Sequence, residues 1–352
     1  MMKNIFYYLS FLSFLYLTSC NDSSETEDDL SVYFQIVLEK HRPNFVNLIA
    51  TGDEQNAIYE WKLSDGRTLT GQNVVCYFER KGVYEVSLTK KVGSLRGVFT
   101  KKISVQENSY YFQQEEQLWW HDEFCENHLD NSAWNYDIGI GKWGNNEWQN
   151  YTNKAENSFL RDGLLVLKAM KSGEGQKEGD YTSARLTTKG KKEINRGRVE
   201  VRAKLPGGVG LWPAIWMFGT KAAPYYSELD IMEYVGCDKN IIYSAVHTSE
   251  TLSGTNKVSS SKKVDDVETS FHVYGMNWTD DKIEYYLDNP SNVYLSFMPT
   301  DRNSMNSWPF DRELYLILNI AVGGDWGGMH GVDDSIFPRE MEIDYVRIFK
   351  KK

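Results

Sequence analysis

The sequence predicts an all-β protein built as a small β-sandwich followed by a larger one. Three observations predict it. Short apolar runs alternate with period two, Gly and Asn clusters punctuate them closely, and no stretch sustains a 3.6-residue period over a dozen positions. At 352 residues, 41% hydrophobic and 25% charged, the chain is long enough for about two cores. The same composition excludes a disordered chain, a collagen-like repeat and a polytopic membrane protein. A net charge of -10 with no long Lys/Arg tract disfavours nucleic acid as a partner, because phosphate binding needs a basic footprint. Ten of the eleven tryptophans lie between Trp119 and Trp326, the other being Trp61. Such rings serve either as core or as platforms for a sugar or base face.

Residues 1–20 place one Lys before an apolar run, which is short for a membrane span and suited to a secretory signal. The run ends in Leu17-Thr18-Ser19-Cys20, which resembles a bacterial lipobox. The resemblance implies cleavage before Cys20, lipidation of its thiol, and a lipoprotein facing outward from the outer membrane. An ordinary signal peptide that ends near a cysteine is the alternative. The acidic segment 21–30 then reads as a flexible tether. Contact with a membrane is expected only through the acyl chains on Cys20. The remaining cysteines, Cys76, Cys125 and Cys237, are odd in number and widely spaced, so buried free thiols are expected.

Residues 31–105 read as the small sandwich. Ser31–Leu38, Phe45–Ala50 and Tyr59–Leu63 are strand-like, a turn falls at Asp65-Gly66, and Val98–Val105 closes the set. In Gly82–Leu88 the alternation sets Tyr84, Val86 and Leu88 against Val83, Glu85 and Ser87. Trp61 with Asp65-Gly66, Phe78 and the Gly82–Leu88 strand resemble a PKD domain, an immunoglobulin-like fold. No catalytic constellation lies here, and a spacer is expected. Residues 106–117 are polar and read as a linker.

Residues 118–352 read as the large sandwich. Val199–Leu205 alternates apolar and charged residues, and Phe271–Trp278, Ile283–Asp288, Leu314–Val322 and Met341–Phe349 are further strands. The chemistry concentrates in Ser227–Gly236, which carries Glu228, Asp230 and Glu233 among apolar residues. Glu228 and Asp230 share a strand face. Glu233, three residues beyond Asp230, falls on the other face unless a bulge at Ile231-Met232 inserts one extra residue. With the bulge, the two Glu Cα atoms stand roughly 13 Å apart. Inward-leaning side chains then bring the carboxyls to about 5–5.5 Å, the spacing of retaining glycoside hydrolysis. Glu228 would attack the anomeric carbon, Glu233 would act as acid and then base, and Asp230 would hold their pKa values apart. A solvent-facing acidic strand edge produces the same triplet, and a calcium site is a further reading, although the strand lacks a calcium loop's spacing.

Together with other blocks, this segment resembles glycoside hydrolase family 16 in its laminarinase-like form. The blocks include Trp120–Phe124, Trp143–Thr152, Ser183–Gly190, Gly210–Met217, Phe271–Tyr274, Trp308–Phe310, Leu318–Trp326 and Asp344–Arg347. The resemblance implies a concanavalin-like jelly roll with a glycan cleft. It implies Glu228 as nucleophile, Glu233 as acid/base and Asp230 as helper. It suggests Trp143, Arg185, Trp212, Trp216, His247 and Trp326 as sugar contacts, each of which could instead be structural. It also implies a structural Ca2+ at Glu123, Gly163 and Asp344 and no cofactor for catalysis. One departure stands out: relatives carry Gly just before the first catalytic Glu, and here the approach is Pro224-Tyr225-Tyr226-Ser227. The expected activity is endo-hydrolysis of β-1,3-glucan (laminarin) or mixed-linkage β-1,3/1,4-glucan by a monomer. The alternatives are a hydrolase of agar- or carrageenan-type galactan, and a non-catalytic surface glycan-binding protein.

Overall fold

The computed structural model describes residues 30–38, 44–52, 54, 56–109, 116–219, 225–252 and 256–352. The leader, Cys20 and most of the acidic tether lie outside the described residues. No described helix is long and apolar enough to cross a membrane.

The N-terminal unit has seven strands in two sheets. Phe34–Leu38, Phe45–Ala50 and Asn73–Tyr77 form one, and Thr68–Thr70, Ile58–Leu63, Gly82–Val92 and Leu95–Val105 form the other. Their shared core contains Phe34, Leu48, Trp61, Phe78, Val86 and Leu88. The alternation of Gly82–Leu88 is realised: Val86 and Leu88 are buried, while Val83 and Glu85 are exposed. Trp61 is anchored at both ends, with Phe34 edge-on to its ring at 5.0 Å and its indole N–H donating to the Gly71 carbonyl at 2.8 Å.

The larger unit is two sheets closing on one core. The eight-stranded sheet runs Val258–Lys263, Ile241–Thr248, Ser227–Tyr234, Leu211–Gly219, Leu314–Val322, Arg185–Thr187 and Asn135–Tyr136, with Glu193–Ile194 also paired to Leu314–Val322. The ten-stranded sheet is centred on Arg339–Lys351 and Gly197–Lys204. Trp134, Trp278 and Trp308 belong to the core between the sheets, so part of the tryptophan enrichment is packing. Glu116 and Gln117 are paired to Lys351 and Lys350, so the first strand begins two residues inside the expected linker.

One expectation, that of buried thiols, is corrected. On Gly197–Lys204 the charged residues Arg198 and Glu200 are buried. Glu116 holds Arg198 through two hydrogen bonds of 2.9 Å, and the Tyr286 hydroxyl donates to Glu200 at 2.6 Å, so each buried charge has a partner. Of the three free cysteines, Cys76 is buried, its thiol pushed up to about 12 by desolvation, but Cys125 and Cys237 are only partly buried.

The outer side of the ten-stranded sheet meets the N-terminal unit. Arg347 lies between the rings of Phe45 and Tyr345, with its guanidinium carbon 3.5 Å from each centroid. Its Nε and Nη2 donate to Glu123 at 2.8 and 2.9 Å, and Lys352 pairs with Glu79. Burial would raise the Glu123 carboxyl, but Arg347 and His121 outweigh it and hold the group at about 2. This pair therefore adds stability above the ordinary glutamate pKa, and the contribution fades as pH falls toward the folded value. Arg347→Met should destabilise the protein by about 3–5 kcal/mol at neutral pH, because it strands a buried carboxylate. Urea unfolding at pH 7 and near pH 3 checks this, and the wild-type advantage should shrink at the lower pH.

Candidate active site

Ser227–Tyr234 sits between Leu211–Gly219 and Ile241–Thr248. On the Ile241–Thr248 side, Asp230 pairs with Ala245 and Glu233 with Tyr243, so three steps on one strand match two on the other. The same shift appears toward Leu211–Gly219, where Trp216 opposes Asp230 and Ile215 opposes Met232. The extra residue falls at Ile231-Met232 and returns Glu233 to the face of Glu228 and Asp230. Leu229, Ile231, Met232 and Tyr234 all enter the core. The Ile231 carbonyl accepts from the Ser244 hydroxyl at 2.8 Å and from the Tyr294 hydroxyl at 3.4 Å, so the carbonyl displaced by the bulge is not stranded.

The three carboxyls sit in different surroundings. Glu228 receives the Tyr226 hydroxyl at 2.7 Å. Glu233 receives the Trp212 indole N–H at 3.0 Å. The His247 Nε2 stands 3.1 Å from Asp230 Oδ2 and 4.0 Å from Glu228, but among the described residues Asp230 Oδ2 makes no hydrogen bond. The 3.1 Å approach is thus an electrostatic contact rather than a bond. Desolvation raises all three carboxyls above their ordinary range. In Asp230 the Glu228 charge adds to it, and in Glu233 the Asp230 and Glu228 charges do. In Glu228 the Tyr226 hydrogen bond, His247 and Arg185 pull the other way. The cluster therefore retains protons at pH values where free carboxylates have lost them.

Aromatic residues wall the acidic face. Trp212, Trp216 and Phe218 are the partly exposed residues of a strand whose other residues are buried. Trp326 is edge-on to Trp212 at 5.3 Å and to Tyr243 at 5.0 Å. Arg185 lies between Trp143 and Trp216, 4.9 and 4.8 Å from their centroids, with Asp137 accepting from its Nε at 3.0 Å. The Trp216 indole donates to Asn319 at 2.7 Å, and the Asn319 amide donates to the Tyr151 hydroxyl at 3.0 Å. Trp143 itself has φ 47° in a short turn, and its buried indole N–H has no partner among the described residues. The turn is tied down by Asn146, whose amide donates to both Asp325 oxygens at 2.9 and 3.0 Å, next to Trp326. All six expected sugar contacts thus border one acidic surface. Sequence reasoning noted Tyr226 only as a departure before the first acid and missed Tyr243, Asn319 and Asp137. Of these three, Asn319 carried a visible signal, as the single polar residue in the apolar strand Leu314–Val322.

The expected calcium residues do not fit a carboxylate cage. Glu123 is bound by Arg347 and contacted by His121 at 3.2 Å, and Asp344 accepts from Arg202 at 2.5 Å. Gly163 contributes no side chain, and its nearest side-chain neighbour is Cys125 Sγ. Both carboxylates are already neutralised by arginine. Among the described residues, three carboxylate or imidazole groups converge closely enough for a metal only at Glu228, Asp230 and His247.

Residues 145–347 match the family model for glycosyl hydrolases family 16, and residues 37–102 match that for a PKD domain. This chain belongs to glycosyl hydrolase family 16. It is 41% identical over 249 residues to a beta-glucanase of Rhodothermus marinus, covering 66% of this chain and 85% of that protein. The solved laminarinase of Flavobacterium sp. UMI-01 is 39% identical with a TM-score of 0.60, covering 66% of this chain and all (100%) of that one. The Rhodothermus marinus laminarinase structure is 39% identical with a TM-score of 0.62, covering 67% of this chain and 97% of its own. The fold is accordingly a jelly roll preceded by an immunoglobulin-like domain.

Because Asp230 is buried with a raised pKa, its ionisation opposes folding. That penalty is absent below the ordinary aspartate pKa and grows as pH rises toward the folded value. Asp230→Asn should therefore melt at a higher temperature than wild type at pH 7, with the gap closing near pH 4. Thermal denaturation at the two pH values is the check.

Proposed function

We propose that this family 16 glycoside hydrolase cleaves internal β-1,3 bonds of laminarin-type or mixed-linkage β-glucan with retention of anomeric configuration. The bulge carries this reading: it sets Glu228 and Glu233 on one face, each held by its own donor. The names of the similar beta-glucanase and laminarinases support the substrate class. In the first step a Glu228 oxygen bonds to the anomeric carbon as the glycosidic bond breaks, and the departing oxygen takes the proton of Glu233. In the second, water bonds to that carbon, Glu233 takes its proton, and the electron pair of the ester bond returns to Glu228. A raised Glu233 suits the first role, since it still carries its proton where an ordinary glutamate would not. Trp143, Trp212, Trp216 and Trp326 would stack on pyranose faces, with Arg185 and His247 bonding hydroxyls. A retained acid pair favours this over a glycan-binding protein, which needs no such pair.

The finer placement follows from the sequence. The apolar leader ending at Cys20 and the acidic tether support a lipoprotein displayed outward from the outer membrane, with residues 31–105 as spacer and 118–352 as a monomeric catalytic unit. Cys20→Ala should release the protein from membranes, read by fractionation and acyl labelling. Calcium at Glu123, Gly163 and Asp344 lacks side-chain support, since arginines occupy both carboxylates.

Product analysis on laminarin, mixed-linkage glucan and agarose tests the substrate class, and release from agarose alone would overturn it. Glu228→Gln should abolish turnover, on the order of 10⁴-fold or more, while glycan affinity and fold persist. Glu233→Ala should spare the first step on substrates with good leaving groups, which need little protonation, and suppress hydrolysis of laminarin. Equal losses on both substrates count against the acid role.

A further inference from the structure

We propose that Tyr226 is a positioning residue that holds Glu228 Oε2 and leaves Oε1 free to attack, an assignment that rests on Glu228 being the nucleophile. Tyr226 lies two residues before Glu228, so both side chains share a face. Its hydroxyl stands 2.7 Å from Oε2. Among the described residues this is the one hydrogen bond to the Glu228 carboxylate, because His247 Nε2 stands off at 4.0 Å from Oε1. The tyrosine is itself fixed from two sides. Its ring packs edge-on against Phe218 at 5.5 Å and 82°, and Phe218 in turn meets Trp216 at 6.1 Å and Tyr315 at 6.2 Å. Its backbone N–H donates to the Ser249 hydroxyl at 3.1 Å.

The phenol remains a donor throughout the working pH range, since burial and the adjacent Glu228 and Asp230 charges push its ionisation upward. Among the described residues, the remaining titratable and charged groups around Glu228 are His247 on one neighbouring strand, Arg185 and Tyr315 farther across the sheet, Tyr285 on the opposing sheet, and Asp230 and Glu233 on its own strand. Its partner on the other neighbouring strand, Phe218, is apolar. Tyr226 is therefore the one group that contributes a directed bond rather than a diffuse field.

The consequence differs between the two chemical steps. While Glu228 is an ester, Oε2 is a carbonyl oxygen and the tyrosine bond to it is weak. When water bonds to the anomeric carbon and the C–Oε1 bond breaks, the electron pair returns to the carboxylate and the bond strengthens. Tyr226 thus favours departure of Glu228 in the second step more than its attack in the first.

Tyr226→Phe keeps the ring and removes only the hydroxyl. On an aryl β-glucoside oligomer with a good leaving group, kcat should fall on the order of tenfold, with a smaller change in kcat/KM. A pre-steady-state burst of the phenol should appear, and the acidic limb of kcat/KM should move up by roughly one pH unit. The melting temperature should stay within about 2 °C of wild type. An unmoved acidic limb with no burst overturns the proposal. So does an equal loss in kcat and kcat/KM, which a purely structural role would give. Failure of the nucleophile assignment reads differently: Glu228→Gln then keeps turnover whatever Tyr226→Phe does.

Discussion

The site depends on one backbone irregularity. A regular strand with period two cannot bury Leu229, Ile231, Met232 and Tyr234 while turning Glu228, Asp230 and Glu233 to the opposite side. One surplus residue resolves the conflict by admitting Ile231 and Met232 to the core in succession. The register shift is imposed on both neighbours, so the bulge is held by two ladders and a captured carbonyl. Removing it would flip Glu233 into the hydrocarbon core, where neither its charge nor its proton could be used. Catalytic geometry and core packing are therefore one constraint.

Three acids on one partly buried face repel each other and lose hydration. Among the described residues no arginine or lysine pairs directly with them. Each has a different neighbour: a phenol for Glu228, an indole for Glu233 and an imidazole beside Asp230. The phenol and the indole are neutral donors, which stabilise a carboxylate less than a guanidinium does, so the group stays close enough to its protonated form to exchange a proton during turnover. The contrast lies on the other sheet, where arginine locks Glu123 at about 2 and makes it purely structural. The same residue type is assigned to chemistry or to stability by the charge of its partner.

Much of this was legible in the sequence, and the limits have physical causes. The bulge could be inferred because a Glu-x-Asp-x-x-Glu spacing conflicts with strand periodicity. The small sandwich was visible in the alternation of Gly82–Leu88, where one face meets water. The burial of Arg198 and Glu200 could not be read from the alternation around them, since they lie under Glu116 and Tyr286. Those partners are distant in sequence, and no local pattern announces them. The same holds for Glu123 and Asp344, whose arginine partners lie 224 and 142 residues away in sequence. Tyr226 registered only as a departure from the familiar approach to the first acid, because its function is a contact and not a spacing.

That departure has a local logic. Phe218 opposes Glu228, and the next residue, Gly219, lies against Ser227. A Cβ on Gly219 would come within 2.0 Å of the Ser227 hydroxyl oxygen, so the strand needs glycine there. With glycine at 219 the neighbouring strand makes room for Ser227, and Phe218 beside it supplies the edge on which Tyr226 rests. Ser227, Gly219, Phe218 and Tyr226 therefore form one packing solution. The packing around Tyr226 thereby sets where its hydroxyl meets Glu228, which ties the residues before the first acid to the chemistry of that acid.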